Sequence, residues 1–345
     1  MNRQFVSRAL CAVLVSGAIV LPAKAINFGK KEESAEVKVT KGGPLKGKTS
    51  LAIGAFRVSF KTHDEVVSVG GGALMGGRGS SVRDDTTMSG VDQALMQKIA
   101  DQVYADFVQQ ATAKGYTVID SAKLATLSPA YKALPTTVNF AEGPLGAFVI
   151  PTGQTSPVLA TDDYKQDRHG AQTTFGGFKG VGVQMATTEA NSVFPKLANE
   201  TGSAVIAVNI VVNFAAYKGT QSTWLSNSKA TVDFGATIEG VDQQLLGTMV
   251  KVWDAKSSGC GTCMGQAHLQ GDVHSSEAIG TFEKRDALGV SGATANAIGM
   301  LSGVGKQETH KAYHLTADPV AYEKNTLTVA KQANEMLLDA MVKER

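Results

Sequence analysis

The chain has 345 residues, 43% of them hydrophobic, and a formal net charge of only +2. Such length and apolar content allow one large or two modest domains with a real core. The near-neutral balance excludes the basic footprint of a nucleic-acid binder, so no nucleic-acid partner is expected.

Arg3 and Arg8 precede an apolar run from Ala9 to Leu21, and Ala23, Lys24 and Ala25 supply the small-x-small pattern of a cleavage site. Residues 1–25 therefore read as an export signal removed after Ala25, which places the mature protein in the periplasm or at the outer membrane. A single membrane anchor is the alternative, but the run falls short of the roughly 20 apolar residues that cross a bilayer. Cys11 sits inside the hydrophobic run instead of after a complete signal, which argues for a product without a lipid anchor. Of the three cysteines, cleavage leaves Cys260 and Cys263. In an exported protein they face an oxidising compartment.

Residues 26–48 are charged and poor in apolar side chains, so they read as a flexible arm. From Thr49 the character changes, and Leu51, Ile53, Phe56, Val58 and Phe60 mark a largely buried strand. The glycine-rich segment 66–83 follows, with Gly70, Gly71, Gly72, Gly76, Gly77 and Gly79 close together. It lacks the Lys-Ser/Thr ending of a phosphate-binding loop and the spacing of a dinucleotide fingerprint, so a mobile or membrane-touching hairpin loop is expected.

The clearest element lies between Ser89 and Asp120. Val91, Leu95, Ile99, Val103 and Phe107 recur every fourth residue, flanked by Met96, Ala100, Tyr104 and Val108, which predicts an amphipathic helix lying on a sheet. Ser89 with Asp92 resembles a capping box, Gly115 supplies the stop, and residues 116–119 read as a strand. A short helix over 121–131 and a long, turn-rich excursion over 132–187 come next, the latter with candidate strands at 148–150 and 175–183. A helix over 189–200 then leads to the most apolar strand, 204–214.

From Lys229 the period becomes two, and four candidate strands in succession predict an antiparallel meander. A small-residue segment near 290–305 precedes a last helix, opened by Asp318 as cap and Pro319 in the first turn. Its inward positions are Val320, Leu327, Ala330, Leu337 and Met341. The fold class expected is α/β (α+β): one elaborated domain over 49–345, with a mixed sheet covered by helices and an antiparallel meander in the C-terminal half.

Cys260-Gly-Thr-Cys263 is the sharpest local motif. A redox pair of this spacing sits at a helix N-terminus, whereas this one lies in a turn between two candidate strands, which favours a structural disulfide. His268 and His274 follow at a spacing that resembles zinc ligation, but alternation along 267–274 places both on the wet face of a half-buried strand. His310 and His314, four apart, would share a face if helical and are the remaining metal candidates. No catalytic motif stands out: the chain has no Ser elbow, His63 and His169 lack readable partners, and the pairs Asp84-Asp85 and Asp162-Asp163 read as solvated carboxylates. No cofactor is expected.

The strand SLAIGAFRVSF, the helix and strand QKIADQVYADFVQQATAKGYTVID, the strand GSAVIAVNIVV, the segment TVDFGATIEGVDQQLLGTMVKVWDAKSSG and the long final helix together resemble the curli secretion-channel family of outer-membrane proteins. The periplasmic domain of that family is itself similar to the N-terminal domain of TolB. The likeness rests on element order over about half of the exported chain. It implies a periplasmic α/β domain, ring-like self-association, and hairpins that insert into the outer membrane, with the 66–83 and 140–185 segments as their places. Absence of a lipidation cysteine directly after the signal departs from the pattern, and no individual functional residue carries over.

Three functions are thereby expected in order: a non-enzymatic envelope scaffold or secretion component that associates with itself or an outer-membrane assembly; an exported thiol-disulfide or other enzyme using Cys260 and Cys263; and a periplasmic ligand-binding module whose site lies under the 140–185 loops.

Overall fold

The computed structural model describes residues 35–69, 80–136, 141–143, 146–157, 179–220, 229–241, 247–257, 264–286 and 307–345. The export signal with Cys11, the glycine run 70–79, Asp162, Asp163, His169, Cys260, Cys263 and the small-residue segment near 290–305 lie outside these residues.

In chain order the elements are β1 (Val37–Thr40), β2 (Ser50–Lys61), β3 (His63–Val69), β4 (Ser80–Ser89), α1 (Gln93–Ala113) and β5 (Thr117–Ile119). Two short helices, α2 (Ser121–Leu127) and α3 (Pro129–Lys132), lead to β6 (Ala141–Gly143) and β7 (Gly146–Val149). After α4 (Lys179–Thr201) come β8 (Ala204–Thr220), β9 (Lys229–Ile238), β10 (Met249–Trp253), β11 (Gly265–Leu269) and β12 (Val273–His274). The chain closes with β13 (Gly280–Asp286), β14 (Gln307–Ala317) and α5 (Pro319–Lys343).

The architecture is α/β: mixed parallel and antiparallel sheets covered by helices. The larger sheet runs β1-β11-β10-β8-β2-β7-β6, with β5 on β2, and β9 joined to β8 and β12. At its centre β2 pairs in parallel with β8, from Leu51 opposite Ala204 to Phe60 opposite Val212. A parallel pair is stable only when both faces are covered, which is why each strand reads as a near-continuous apolar run.

Strand parity divides the interior. Leu51, Ile53, Phe56, Val58 and Phe60 pack with Ile206, Val208, Ile210 and Val212 beneath α1 and α5, as alternation predicted. Residues 53 and 56 differ in parity, so one face can hold both only across an irregularity, and the register shifts between Ile53 and Ala55. Gly54 lies at that shift, where a Cβ would meet Phe194 and Val205 at 3.0 Å. On the opposite face Ala52, Ala55, Val205, Ala207 and Trp253 pack with Leu124, Tyr131, Phe194 and Leu197 from α2, α3 and α4. Phe194 meets Trp253 edge-on at 4.9 Å, and the Tyr131 hydroxyl donates to Gly54 O at 2.7 Å.

The cap of α1 differs from the expected one. Asp92 is the N-cap, its Oδ1 accepting from Leu95 N at 2.8 Å, while Ser89 ends β4. Gly115, at φ 87, terminates the helix as expected. Met96, Ile99, Ala100, Val103, Phe107 and Ala111 form its buried face. Asp318 caps α5 by accepting from Val320 N and Ala321 N, and Ala330, Leu337 and Met341 are buried. Val320 is 78% exposed, because this first-turn residue lies beyond the packed face of the helix.

Residues 35–48 are not the free arm their composition suggests. β1 pairs antiparallel with β11 from Val37 opposite Leu269 to Thr40 opposite Gln266, and Leu45 is fully buried. A lone short strand cannot bury itself, so nothing in its own composition reveals the partner edge. Within the 132–187 excursion, β7 matches the expected strand at 148–150, but the expected strand at 175–183 conflicts with α4, which begins at Lys179 and continues through Pro195. The C-terminal strands pair antiparallel but do not form the expected meander: β10 and β9 each pair with β8, at residues 205–209 and 212–220, instead of with one another, and β13 joins the other sheet, because the long buried β8 offers both of them one edge.

A second, four-stranded sheet runs β13-β14-β4-β3. Two antiparallel pairs, β3–β4 and β13–β14, join through a parallel pairing of β14 with β4. Gly90 makes the exit from β4 possible: it sits at φ 87, and a Cβ there would lie 2.6 Å from Ala317 O. Gly90→Ala should therefore destabilise the protein by about 1–3 kcal/mol in urea unfolding.

Candidate functional site

Beyond the two apolar cores, β2 and β8 become polar on the part of the second face that α2, α3 and α4 do not reach. Arg57, Ser59 and Lys61 alternate along β2, and Asn209 and Asn213 lie on β8, all of them buried. A buried charge persists only when paired or hydrogen-bonded, so this end of the central strands must recruit partners from elsewhere in the chain.

Lys61 finds them at the junction of the two sheets. Its Nζ lies 3.2 Å from Asp64 Oδ2 at the start of β3 and 2.5 Å from Glu239 Oε1 just past β9. Asn213 Nδ2 donates to the same two carboxylates, at 2.8 Å to Asp64 and 2.6 Å to Glu239, while its Oδ1 accepts from Phe214 N at 2.7 Å. Asn213 stands at a second register shift, between Asn213 and Ala215 of β8, where the extra residue turns its side chain toward the charged group. Three chain segments, at 61–64, 213 and 239, are thus locked by one ammonium, two carboxylates and one carboxamide. Two flanking carboxylates hold Lys61 as ammonium, which removes its capacity to act as a nucleophile. Chemically the group is a joint between sheets.

Asp272 borders this joint. Its Oδ1 accepts from Gly240 N at 2.9 Å. Burial first, then the charge of Glu239, push its carboxyl up to about 6. The side chain is nonetheless exposed at the surface, so solvent screening works against the burial contribution.

The histidines singled out by spacing are dispersed. His268 is 9% exposed on β11, enclosed between β1 and β10, and so does not occupy the wet face expected of it. Burial and then the neighbouring Lys38 lower its pKa. His274 bonds Thr237 Oγ1 through Nδ1 at 2.8 Å, with Asp233 Oδ2 3.3 Å from Nε2. A Thr-His-Asp series of this kind resembles a hydrolytic triad, but Thr237 is fully buried and its hydroxyl donates to Gly235 O, so it clips β12 to β9.

His310 and His314 lie on β14, an extended strand, and not on a helix. Four residues of strand place them about 13 Å apart, too far to share one ion. His314 instead bridges the two hairpins, with Nδ1 2.8 Å from Thr87 Oγ1 and Nε2 2.9 Å from Ser89 Oγ. Among the described residues no group of three or more His, Cys, Asp or Glu is arranged to hold a metal. Asp84 is buried and Asp85 half-buried within β4, so neither is the solvated loop carboxylate expected. The joint itself escaped sequence reading, although Lys61, Asp64, Asn213 and Glu239 each interrupt an apolar alternation, which is the signal it left.

Lys61→Met should cost about 3–5 kcal/mol in chemical denaturation, because it strands two carboxylates. Adding Asp64→Asn and Glu239→Gln to that variant should restore most of the loss. Asp272 provides a pH test: a raised carboxyl pKa stabilises the fold below the usual carboxylate range of about 4. That contribution disappears as pH rises through about 6. Relative to the wild type, Asp272→Asn should gain stability across this window, read from urea midpoints at each pH. Comparison with known proteins supplies no template for the arrangement: no family model, curated protein or solved structure matches the chain.

Proposed function

We propose that the protein is an exported, non-enzymatic component of the cell envelope, a scaffold or secretion part that associates with itself or with an outer-membrane assembly. The four-stranded sheet is the observation that carries this reading. Among the described residues its outer strands, β3 and β13, each have one strand neighbour, so both edges present main-chain donors and acceptors to a further strand. On β13 consecutive residues Thr281, Phe282, Glu283 and Lys284 are all exposed, Phe282 at 59%, so that edge stands open to solvent. Phe282 stacks on Phe234 at 5.0 Å, which holds an aromatic surface in place beside the open edge. Proteins usually blunt such edges unless the edge is used.

Export from the N-terminal pattern supports the envelope assignment, and the resemblance to the curli secretion-channel family supports assembly. No helix among the described residues is long and apolar enough to cross a membrane, a fact that leaves strands as a separate question.

Light scattering on the purified protein at micromolar concentration should return a defined multi-copy species. A monomer throughout would sink self-association. Lys284→Pro, which removes an outward-facing main-chain donor from the edge strand, should shift that species toward monomer with little change in circular dichroism. Cell fractionation should place the protein in the periplasm or outer membrane, and recovery in the cytoplasm would exclude the envelope reading.

A further inference from the structure

The joint at Lys61 sets an amine-bearing side chain beside a carboxamide in a place sheltered from water. Lys61 and Asn213 directly follow the last residues of the central parallel pairing, Phe60 opposite Val212, and both are buried. They share both carboxylates: Nζ and Nδ2 stand 2.5 and 2.6 Å from Glu239 Oε1, and 3.2 and 2.8 Å from Asp64 Oδ2. Two nitrogens that touch one oxygen at these distances lie at most about 5 Å apart. The carboxamide carbon, Asn213 Cγ, is one covalent bond from Nδ2.

We infer that Lys61 and Asn213 are the precursors of an intramolecular amide cross-link, a bond from Lys61 Nζ to Asn213 Cγ that forms with loss of ammonia and with Glu239 as proton carrier.

Each requirement of that reaction has a group in place. Asn213 Oδ1 accepts from Phe214 N at 2.7 Å, a hydrogen bond that strengthens as negative charge collects on the oxygen. Glu239 Oε1 contacts both the nitrogen that must lose protons and the nitrogen that must gain one, so a single oxygen serves every transfer. Asp64 Oδ2 makes a second contact with each nitrogen and keeps them facing one another. Adjacent strands hold their backbones about 4.8 Å apart, and this fixed approach replaces a collision in solution. Three carbonyl carbons surround Nζ, but two belong to anions, which resist nucleophilic attack. The neutral carboxamide of Asn213 is therefore the acceptor.

As an ammonium Lys61 is inert, so the first event is transfer of one proton from Nζ to Glu239 Oε1. Rotation of the lysine side chain then carries the free amine onto Cγ, the Nζ–Cγ bond forms, and Oδ1 takes the negative charge beside Phe214 N–H. Glu239 gives its proton to Nδ2 and receives another from Nζ. Breakage of the Cγ–Nδ2 bond releases neutral ammonia, leaves one hydrogen on Nζ and leaves one proton on Glu239. The summed charge of the joint is the same before and after, so no new charge is buried. Glu239 is 15% exposed at its side chain, which gives the ammonia a way to solvent. The unlinked joint has the ion-pair energetics described above, and the bond forms from it. Self-association is not required, because all the reacting groups belong to one chain.

Peptide mapping by mass spectrometry of the purified, denatured full chain tests this, after the folded protein has stood for several days at pH 7. The peptides that carry residues 61 and 213 should appear joined, lighter than their combined masses by one ammonia, with fragmentation placing the bond between Lys61 and Asn213. In Lys61→Arg, which keeps the positive charge, the two should appear separately at their full masses. Glu239→Gln should leave most of the chain unlinked. The wild-type map decides the bond by itself, whether or not the variants fold. Separate wild-type peptides would overturn the proposal, and so would loss of ammonia within one peptide without joining. Loss of a water instead, which marks an amide to Asp64 or Glu239, would overturn it too, as would linkage in Glu239→Gln as complete as in the wild type.

Discussion

The parallel pairing of β2 with β8 is the constraint from which the remaining arrangement follows. Both strands are buried on both faces, so every residue along them must meet a covering element or a polar partner. Helices α1 and α5 cover one face along the length of the pair, whereas α2, α3 and α4 cover the other only over its first part. Where that second cover ends, the strands turn to Arg57, Ser59, Lys61, Asn209 and Asn213. The position of the polar residues is thus a consequence of how far the second helical layer extends.

Two bulges let this division work. Alternation with a period of two cannot keep Ile53 and Phe56 on one face, and the irregularity beside Gly54 resets the parity. The irregularity beside Asn213 does the same in β8 and turns a carboxamide into the Lys61 joint. Through that joint the large sheet, by β2, β8 and the end of β9, is tied to β3 of the four-stranded sheet. A buried ion pair of this kind contributes less to net stability than to register, because its desolvation cost offsets much of its attraction. Its service is to hold the four-stranded sheet, with its open edges, in a fixed relation to the covered one.

The elements legible in the sequence are those whose burial is decided by their own pattern. The face of α1, the strands β2 and β8, and the capped start of α5 all declare themselves in periodicity and end chemistry, and the structure contains each of them. β1 was illegible because a four-residue strand acquires its partner edge from β11, more than two hundred residues later. His310 and His314 suit a helix or a strand equally by spacing, and pairing with β4 and β13 decides for the strand. His268 looked wet because its neighbours in sequence alternate, yet with β1 and β10 paired on either side of β11 its own side chain is 9% exposed, while Gln266 on the same face stays half-buried.

Sequence alone determined the fold class, the principal helices and the central strands, since local hydrophobic period and caps act over a few residues at a time. Tertiary structure alone decided which charges meet. Lys61, Asp64, Asn213 and Glu239 are separated by up to 178 positions. Strand order and register bring them together, and those depend on the covering of whole faces, which no local window of sequence records.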